Sequence, residues 1–546
     1  LITVHKKRKI LVGIVIFFAL FLGLKYVVHT VIRNKLDALI ENLPDYSIKY
    51  QDIKVGLFYQ NIEISDIEIL PKKAQPDSLS SQLGIFFKIK SLQINEIGVG
   101  SLLFNKTVKI DHILFDNCTV MSIKKSTSNL TNVDKKPMHI DANKIQLSGM
   151  NAIHIEALKF VDLSYEVYDL GLHEKSQRVL YIDPVCFELH GIHLNKNIDD
   201  ALPSKSVLDS LIIPDISMGF NSGNYKLSLK NFKADFFQNS VSLENLELHP
   251  TNVPKQLAKK YKFSREIYNA SIDNLVIVDM GFKGFLKNHK IEAEKICVSG
   301  MNLNIYKDKN KPENTSKIVE LPHIQLKNTK TKIDIKQMNI GHSSLKIQER
   351  VVHKDTVMEV SFSEINGKIH NITNQKVDTT SLTASFKAKL MGKAPINVHL
   401  SSSLSPLDNK LYVKGKVGAL KFKVLDRVLF PALGLKILKG QLDGMDFKLV
   451  SDGKISEGKM TMYYHDLKAS VLRSKSITKE DGFLSFIANG LARNSNPNKR
   501  GKVKVVTISS ERKPHKGLGN HLWKSLQNGI VNTISPFGKR ARKNDR

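Results

Sequence analysis

Along most of this chain two apolar residues alternate with polar ones, a two-residue break follows, and the alternation resumes. The pattern reads Leu92/Ile94/Ile97/Val99, Val108/Ile110/Ile113/Phe115, Ile153/Ile155/Leu158/Phe160, Leu227/Leu229/Phe232/Ala234, Val241/Leu243/Leu246/Leu248, Leu275/Ile277/Met280/Phe282 and Ile333/Ile335/Met338/Ile340. Alternation at a period of two marks a strand with one face out of water, and the break flips the phase as a tight turn or bulge does. The chain is therefore expected to be mainly β, a long succession of one-sided strands.

The rhythm also repeats on a longer scale. Residues 90–124 align without a gap onto 273–307, an offset of 183, so that Leu92 meets Leu275, Ile94 meets Ile277, Val108 meets Ile291 and Ile113 meets Ile296. Residues 153–167 align onto 333–347 at an offset of 180, with Ile153 on Ile333 and Ile155 on Ile335. A period of this length is too long for a solenoid turn or a propeller blade, so each copy must be a sheet of several strands that continues into the next. Two unrelated meanders of similar rhythm would produce the same coincidence of apolar positions.

These patterns divide the chain into a basic N-terminus (1–9), a membrane anchor (10–32), a juxtamembrane helix (33–46), a first β repeat (47–250), a second (251–375), a C-terminal β array (376–475) and a helical cap with a basic tail (476–546). Leu36, Leu39, Ile40 and Leu43 set the juxtamembrane helix, Ser126 to Lys136 a polar loop, and Pro254 to Tyr268 a short helix. In the C-terminal array, turns are expected at Gly440, Gly444, Gly453 and Gly458. Leu484, Ile487 and Leu491 suggest one late helix, and Leu518, Leu522, Leu526, Ile530 and Ile534 mark another, with Trp523 beside the stripe and Lys539-Arg540-Ala541-Arg542-Lys543 after it. Such a helix either caps a sheet or lies on a membrane surface; capping is the expectation.

Ile10 to Leu24 is an uncharged, mostly apolar run containing Val15, Phe17, Phe18, Leu20, Phe21 and Leu22, preceded by His5-Lys6-Lys7-Arg8-Lys9. A span needs ~20 residues, so Lys25 must snorkel to the far interface. The basic cluster holds the N-terminus in the cytoplasm and sends the rest across. A secretory signal has the same charge and apolar pattern, but no small-x-small cleavage site follows Leu24, so an uncleaved single-pass anchor is expected.

With 41% hydrophobic residues the chain has enough apolar surface for an extensive core. Its net charge of +30 invites a nucleic-acid reading. Yet the lysines alternate with apolar residues, as in Lys226-Leu227-Ser228-Leu229-Lys230 and Lys332-Ile333-Asp334-Ile335-Lys336, the placement of a solvated face and of blunted sheet edges. No nucleic-acid partner is expected; anionic lipid headgroups suit the charge better. Cys118, Cys186 and Cys297 are three and far apart, which indicates neither a disulfide framework nor a zinc ribbon.

Catalytic motifs are lacking: there is no Gly-rich phosphate loop, no Gly-x-Ser-x-Gly elbow and no His-Glu-x-x-His helix. His190 and His193 are three apart, a separation that places them on opposite faces of a regular strand. Glu63, Asp66 and Glu68 alternate with isoleucines as the wet face of a strand. The chain is read as no enzyme, with no cofactor and no metal.

What remains is the sheet itself. An open sheet rarely exceeds ~10 strands without curling, so an array of this length must close, pair into sandwiches or bend into a gutter with an apolar inner face. A gutter of that kind offers acyl chains a dry path, each buried methylene contributing about 0.8 kcal/mol. The residues expected to line it are Ile94, Ile97, Val108, Ile110, Ile153, Ile155, Leu275, Ile277, Ile291, Ile333 and Ile335.

The stretches Tyr50-Gln51-Asp52-Ile53-Lys54-Val55-Gly56-Leu57, Ile94-Asn95-Glu96-Ile97-Gly98-Val99-Gly100-Ser101-Leu102-Leu103, Leu438-Lys439-Gly440-Gln441-Leu442-Asp443-Gly444 and Glu457-Gly458-Lys459-Met460-Thr461-Met462-Tyr463-Tyr464-His465-Asp466-Leu467, behind an N-terminal anchor, resemble the AsmA-like proteins of the Gram-negative envelope. The resemblance covers most of the chain. It implies an inner-membrane anchor, a periplasmic β-groove of antiparallel strands, kinship with bridge-like lipid-transfer proteins, and a role in phospholipid traffic and outer-membrane integrity. No functional residue carries over from it. Two functions compete: an anchored phospholipid conduit, and a non-catalytic assembly factor with closed cores that binds envelope proteins. They differ in whether the apolar faces line an open channel or meet one another.

Overall fold

The computed structural model of the chain describes residues 46–541 apart from 57–59, 73–83, 126–149, 171–175, 196–206, 353–354, 376–379, 406–407 and 472–491, together with a few positions between 29 and 40. The membrane anchor with Ile10, Val15, Phe17, Phe18, Leu20, Phe21 and Leu22, most of the juxtamembrane helix, the 126–136 loop and the Leu484–Leu491 helix lie outside the described residues. Among those described, no helix is long and apolar enough to cross a membrane.

The chain divides into two compact units, 1–238 and 239–546. In the first, the described strands are β1 (Tyr46–Lys49), β2 (Asp52–Val55), β3 (Ile62–Pro71), β4 (Gly84–Ile97), β5 (Thr107–Lys125), β6 (Ala152–Leu170), β7 (Ser176–Asn195), β8 (Ser210–Phe220) and β9 (Tyr225–Asp235), with helix α1 (Val99–Asn105) between β4 and β5. β1 and β2 both pair with β3, and pairing then runs in sequence order to β9.

The second unit holds β10 (Ser240–Pro250), α2 (Pro254–Lys260), β11 (Glu266–Val278), α3 (Phe282–Asn288), β12 (Ile291–Ser299), β13 (Asn302–Asp308), α4 (Pro322–Asn328), β14 (Ile333–Arg350), β15 (Val357–Thr373), β16 (Ser381–Leu390), β17 (Ala394–Ser403), β18 (Leu411–Val417), β19 (Leu420–Lys421), α5 (Asp426–Leu433), β20 (Leu435–Ser451), β21 (Ile455–Val471), β22 (Val505–Glu511) and α6 (Leu518–Ile534). β12 and β13 lie end to end, both between β11 and β14.

The fold is mainly β with short helices, as the alternation requires, but it is not purely antiparallel. β5 runs parallel to β6, and β12 and β13 run parallel to β14. The side-chain period of two is the same in both pairings, so alternation alone does not distinguish them.

The internal repeat is visible in the register. Ile94 pairs with Ile113 and, 183 residues on, Ile277 pairs with Ile296. Val108 pairs with Ile153, and Ile291 pairs with Ile333. Backbone irregularities recur as well: Glu96 and Asp279 (φ 59 and 52), Lys106 and His289 (φ 50 and 51), Asn117 and Gly300 (φ 50 and 69), and Asp162 and His342 (φ 52 and 50) all adopt the left-handed conformation. That conformation costs a residue with a Cβ roughly 1–2 kcal/mol. Its coincidence at four equivalent positions distinguishes two copies of one backbone from two meanders of similar rhythm.

Two local expectations change. Val99 and Phe282, which end two of the alternating motifs, begin helices α1 and α3 instead. Gly453 turns the chain between β20 and β21, whereas Gly440 and Gly444 lie inside β20 and Gly458 inside β21. Gly440 adopts φ 124 where the β20–β21 register shifts, so it serves a bulge.

A closed core occupies the C-terminal part of the second unit. Leu411, Val413, Phe447, Leu449, Met460, Val506 and Ile508 are buried together, and Leu518, Leu522, Leu526 and Ile530 of α6 pack against them. The apolar stripe read from the sequence thus caps the sheet, while Trp523 stays 48% exposed. The buried Lys504 Nζ donates to the carbonyls of Asn532 (2.6 Å) and Ser535 (2.7 Å), a cation at the negative end of α6. Asn496 donates to Met462 and Lys504 carbonyls and accepts from Lys504 N–H, fixing the segment ahead of β22 beside β21.

Candidate functional site

Residues directly opposite each other in neighbouring strands share a face, so the register shows how far each apolar row extends. In the first unit one row runs Ile62–Ile94–Ile113–Leu158–Leu189–Leu211–Ala234 across seven strands. Another runs Ile48–Ile69–Phe87–Val120–Tyr165–Ile182–Met218–Leu227. Between them Leu92, Phe115, Phe160 and Phe187 form a ladder, with Phe115 stacked on Phe160 and Phe160 on Phe187 at 4.5 Å. The expected lining residues fall on this face: Ile97, Ile110 and Ile155 continue to Ile192, and Val108 and Ile153 to Leu194.

The second unit has apolar rows of its own. Val241–Ile277–Ile296–Met338–Ile369–Ala384–Leu400–Val413–Leu449 crosses nine strands, and Leu243–Leu275–Val298–Ile340 begins a row that reaches Phe447, Met460 and Val506. Gly367 and Gly415 stand in that second row, and their missing side chains leave room for the rings of Phe386 and Phe447, which a Cβ would approach to 2.3 and 2.1 Å. Ile291 pairs with Ile333, and Ile335 with Ala293 and Ile372.

Burial changes along these rows. Ile94, Ile113, Leu158, Leu189, Leu275, Ile277, Ile296, Met338 and Ile369 are half-buried, whereas Val413, Leu449, Phe447 and Met460 are buried. Of the expected lining residues, Ile335 is the exception at 7% exposure. A small closed cluster also exists in the first unit, around Ile67, Ile89 and Cys118, and there burial pushes the Cys118 thiol up to about 11. In the first unit the apolar cross-strand face is therefore partly open to water in β4–β8, and in the second unit it is partly open in β11–β16 and sealed in β18–β22.

The polar face carries cross-strand ion pairs such as Lys159–Glu188 (2.7 Å) and Lys226–Asp183 (3.1 Å), both partly solvated. Among the described residues two open concavities of about 550 and 540 Å³ occur, the first lined by His342, Ser343, Ser344, Glu364 and Asn366, the second by residues that include Lys54, Val55, Asn61, Ile62 and Glu63. Among the described residues serine hydroxyls meet imidazoles at 2.8 Å in two places: Ser385 Oγ with His399 Nδ1, an exposed pair across β16 and β17, and His521, whose Nε2 lies 2.8 Å from both Ser451 Oγ and Ser456 Oγ, a contact without solvent access. The latter three residues are buried beneath α6, where burial lowers the histidine's proton affinity, so the contact docks the helix and has no route for a substrate.

His190 and His193 do not stand on opposite faces. Gly191 between them is left-handed at φ 64 and resets the alternation. His190 bonds Glu188 (3.0 Å), the partner of Lys159, while His193 meets His154, so both stand on the polar face. The sequence signal for this was the break in Leu189-His190-Gly191-Ile192, the same two-residue interruption found elsewhere.

No protein-family model matches the chain, and no curated protein sequence matches it.

Proposed function

We propose that this chain is a non-catalytic lipid-transfer protein of the AsmA-like kind, anchored in the inner membrane with its bulk in the periplasm. Phospholipid acyl chains lie along the half-exposed apolar face, headgroups remain in water, and movement toward the outer membrane supports its lipid balance. The observation that carries this reading is the set of cross-strand apolar rows that stay partly open to water over β4–β8 and β11–β16. A protein whose only need was a core would bury them as it buries Val413 and Met460.

Acyl chains suit such a face because it is continuous and varies little in chemistry along each row. With about 0.8 kcal/mol for each methylene taken from water, a tail is held without any directional contact and can exchange along the row. The scattered lysines of the polar face suit anionic headgroups and membrane surfaces. The closed core under α6 favours a second role for that part alone, as an end-piece that meets a protein partner in the envelope.

The test is native mass spectrometry with lipid extraction on the full chain purified from a Gram-negative membrane in mild detergent. Several phospholipids bound per chain support the conduit. A folded chain that carries none replaces it with the assembly-factor reading.

A further inference from the structure

β6 and β7 set His154 and His193 directly opposite each other on the polar face of the first unit. Their Nδ1 atoms are 3.0 Å apart and their rings meet edge to face, centroids 5.2 Å apart. Without an ion the contact is an N–H···N hydrogen bond, so one nitrogen holds a proton that the other accepts, and a metal ion that displaces this proton to solvent can be bound by both lone pairs. Bonds of about 2.0–2.1 Å from two imidazoles to one metal ion, meeting at an angle between square and tetrahedral, place the nitrogens roughly 3.0–3.4 Å apart.

The surroundings orient the pair. Asp209 Oδ2 lies 3.7 Å from Nε2 of His193, the ring nitrogen that faces away from His154. A carboxylate on that side favours the tautomer with the proton on Nε2 and makes Nδ1 of His193 the acceptor in its hydrogen bond with His154, the lone pair that would ligate. Asp209 reaches this position only because residue 191 is glycine, since a Cβ there would stand 2.0 Å from the carboxylate oxygen. Lys109, a cation, is opposite His154 on the next strand, and both histidines are partly exposed, so the approach to the pair is from solvent.

The repeat supplies an internal comparison. At the equivalent register positions the second copy pairs Asp334 with Thr373. The backbone therefore forms without imidazoles at these two places, and their presence in the first copy calls for a reason other than folding.

We propose that His154 and His193 bind one divalent first-row transition-metal ion, Zn²⁺, Ni²⁺ or Cu²⁺, through their Nδ1 atoms, with water completing the coordination and Asp209 as the orienting group. Imidazole suits these ions, and an ion held across β6 and β7 clasps the two strands beside the Gly191 bulge. The site is independent of lipid carriage.

The test uses the untagged full chain, stripped with chelator and titrated with Zn²⁺ and Ni²⁺ by calorimetry, with Cu²⁺ added separately for electron paramagnetic resonance. One ion per chain is expected, with coupling of the Cu²⁺ signal to two nitrogens and a thermal midpoint that rises on metal addition. His154→Gln and His193→Thr, the latter carrying the residue of the second copy, should each weaken binding by at least about tenfold. His249→Gln, on another strand, should bind as the wild type does. Wild-type chain that binds none of these ions at millimolar concentration overturns the proposal, as does binding that survives in both folded variants. Because the copper signal is read on the wild-type chain, coupling to fewer than two nitrogens overturns it even if a variant fails to fold.

Discussion

Ile277 and Val413 stand in one cross-strand row and differ only in how far water reaches them, the first half-buried and the second 1% exposed. A charge at each should therefore have opposite consequences. Ile277→Asp keeps its carboxylate hydrated, so the fold should persist with a small change in midpoint while lipid binding falls. Val413→Asp buries an unpaired charge and should cost several kcal/mol, enough to unfold the C-terminal core in a denaturant titration. Lys504 offers a pH test. Burial, with Arg493 and Arg540 nearby, lowers its ammonium from the ordinary 10.5 to about 8. Between those values the unfolded chain holds the proton and the folded chain does not, so this group makes stability rise as pH climbs from about 8 to about 10.5, and the full cost of burying the charge is present below 8. Lys504→Met should remove that part of the slope, measured as the difference between the two chains in urea midpoints at pH 8 and pH 10.

At the scale of elements, the left-handed residues fix where each strand resets its phase. Gly300 combines φ 69 with a close neighbour, a Cβ there standing 1.9 Å from Asp273 Oδ2, while a Cβ added at Gly223, at φ 74, would meet nothing within 4 Å. Gly223→Ala should cost only the backbone term, about 1 kcal/mol. Gly300→Ala should cost about 2–3 kcal/mol, and Asp273→Ala in the same chain should recover most of the difference, read from thermal midpoints. The strands, the repeat and the capping stripe of α6 were legible because each is a periodicity of apolar residues that the core enforces. Strand direction was not, although a signal existed: residues 309–332, between two aligned strands, are long enough for the crossover that a parallel pair needs. Helices α1 and α3 are seven residues each, too short to display a helical period. The His154–His193 pair escaped notice because it joins residues 39 apart through register, and because Gly191 overturns the simple alternation that separated His190 from His193.

For the whole molecule, the proposed conduit rests on an apolar face within each unit that holds acyl chains where it is open and, in the C-terminal part of the second unit, forms a core where it is closed. Within each unit the expected lining residues fall on one face, which the repeat in the sequence foreshadowed, while the contrast between open and sealed stretches of the second unit depends on packing by α6 that alternation does not encode. The most direct measurement is site-specific photocrosslinking in growing Gram-negative cells, with a photoreactive phenylalanine analogue placed singly at Ile94, Ile277 and Val413, followed by detection of phospholipid adducts on the purified chain. The account predicts adducts at Ile94 and Ile277 and none at Val413. Absence of adducts at both half-buried positions in a stably expressed chain, or equal labelling at Val413, would contradict it.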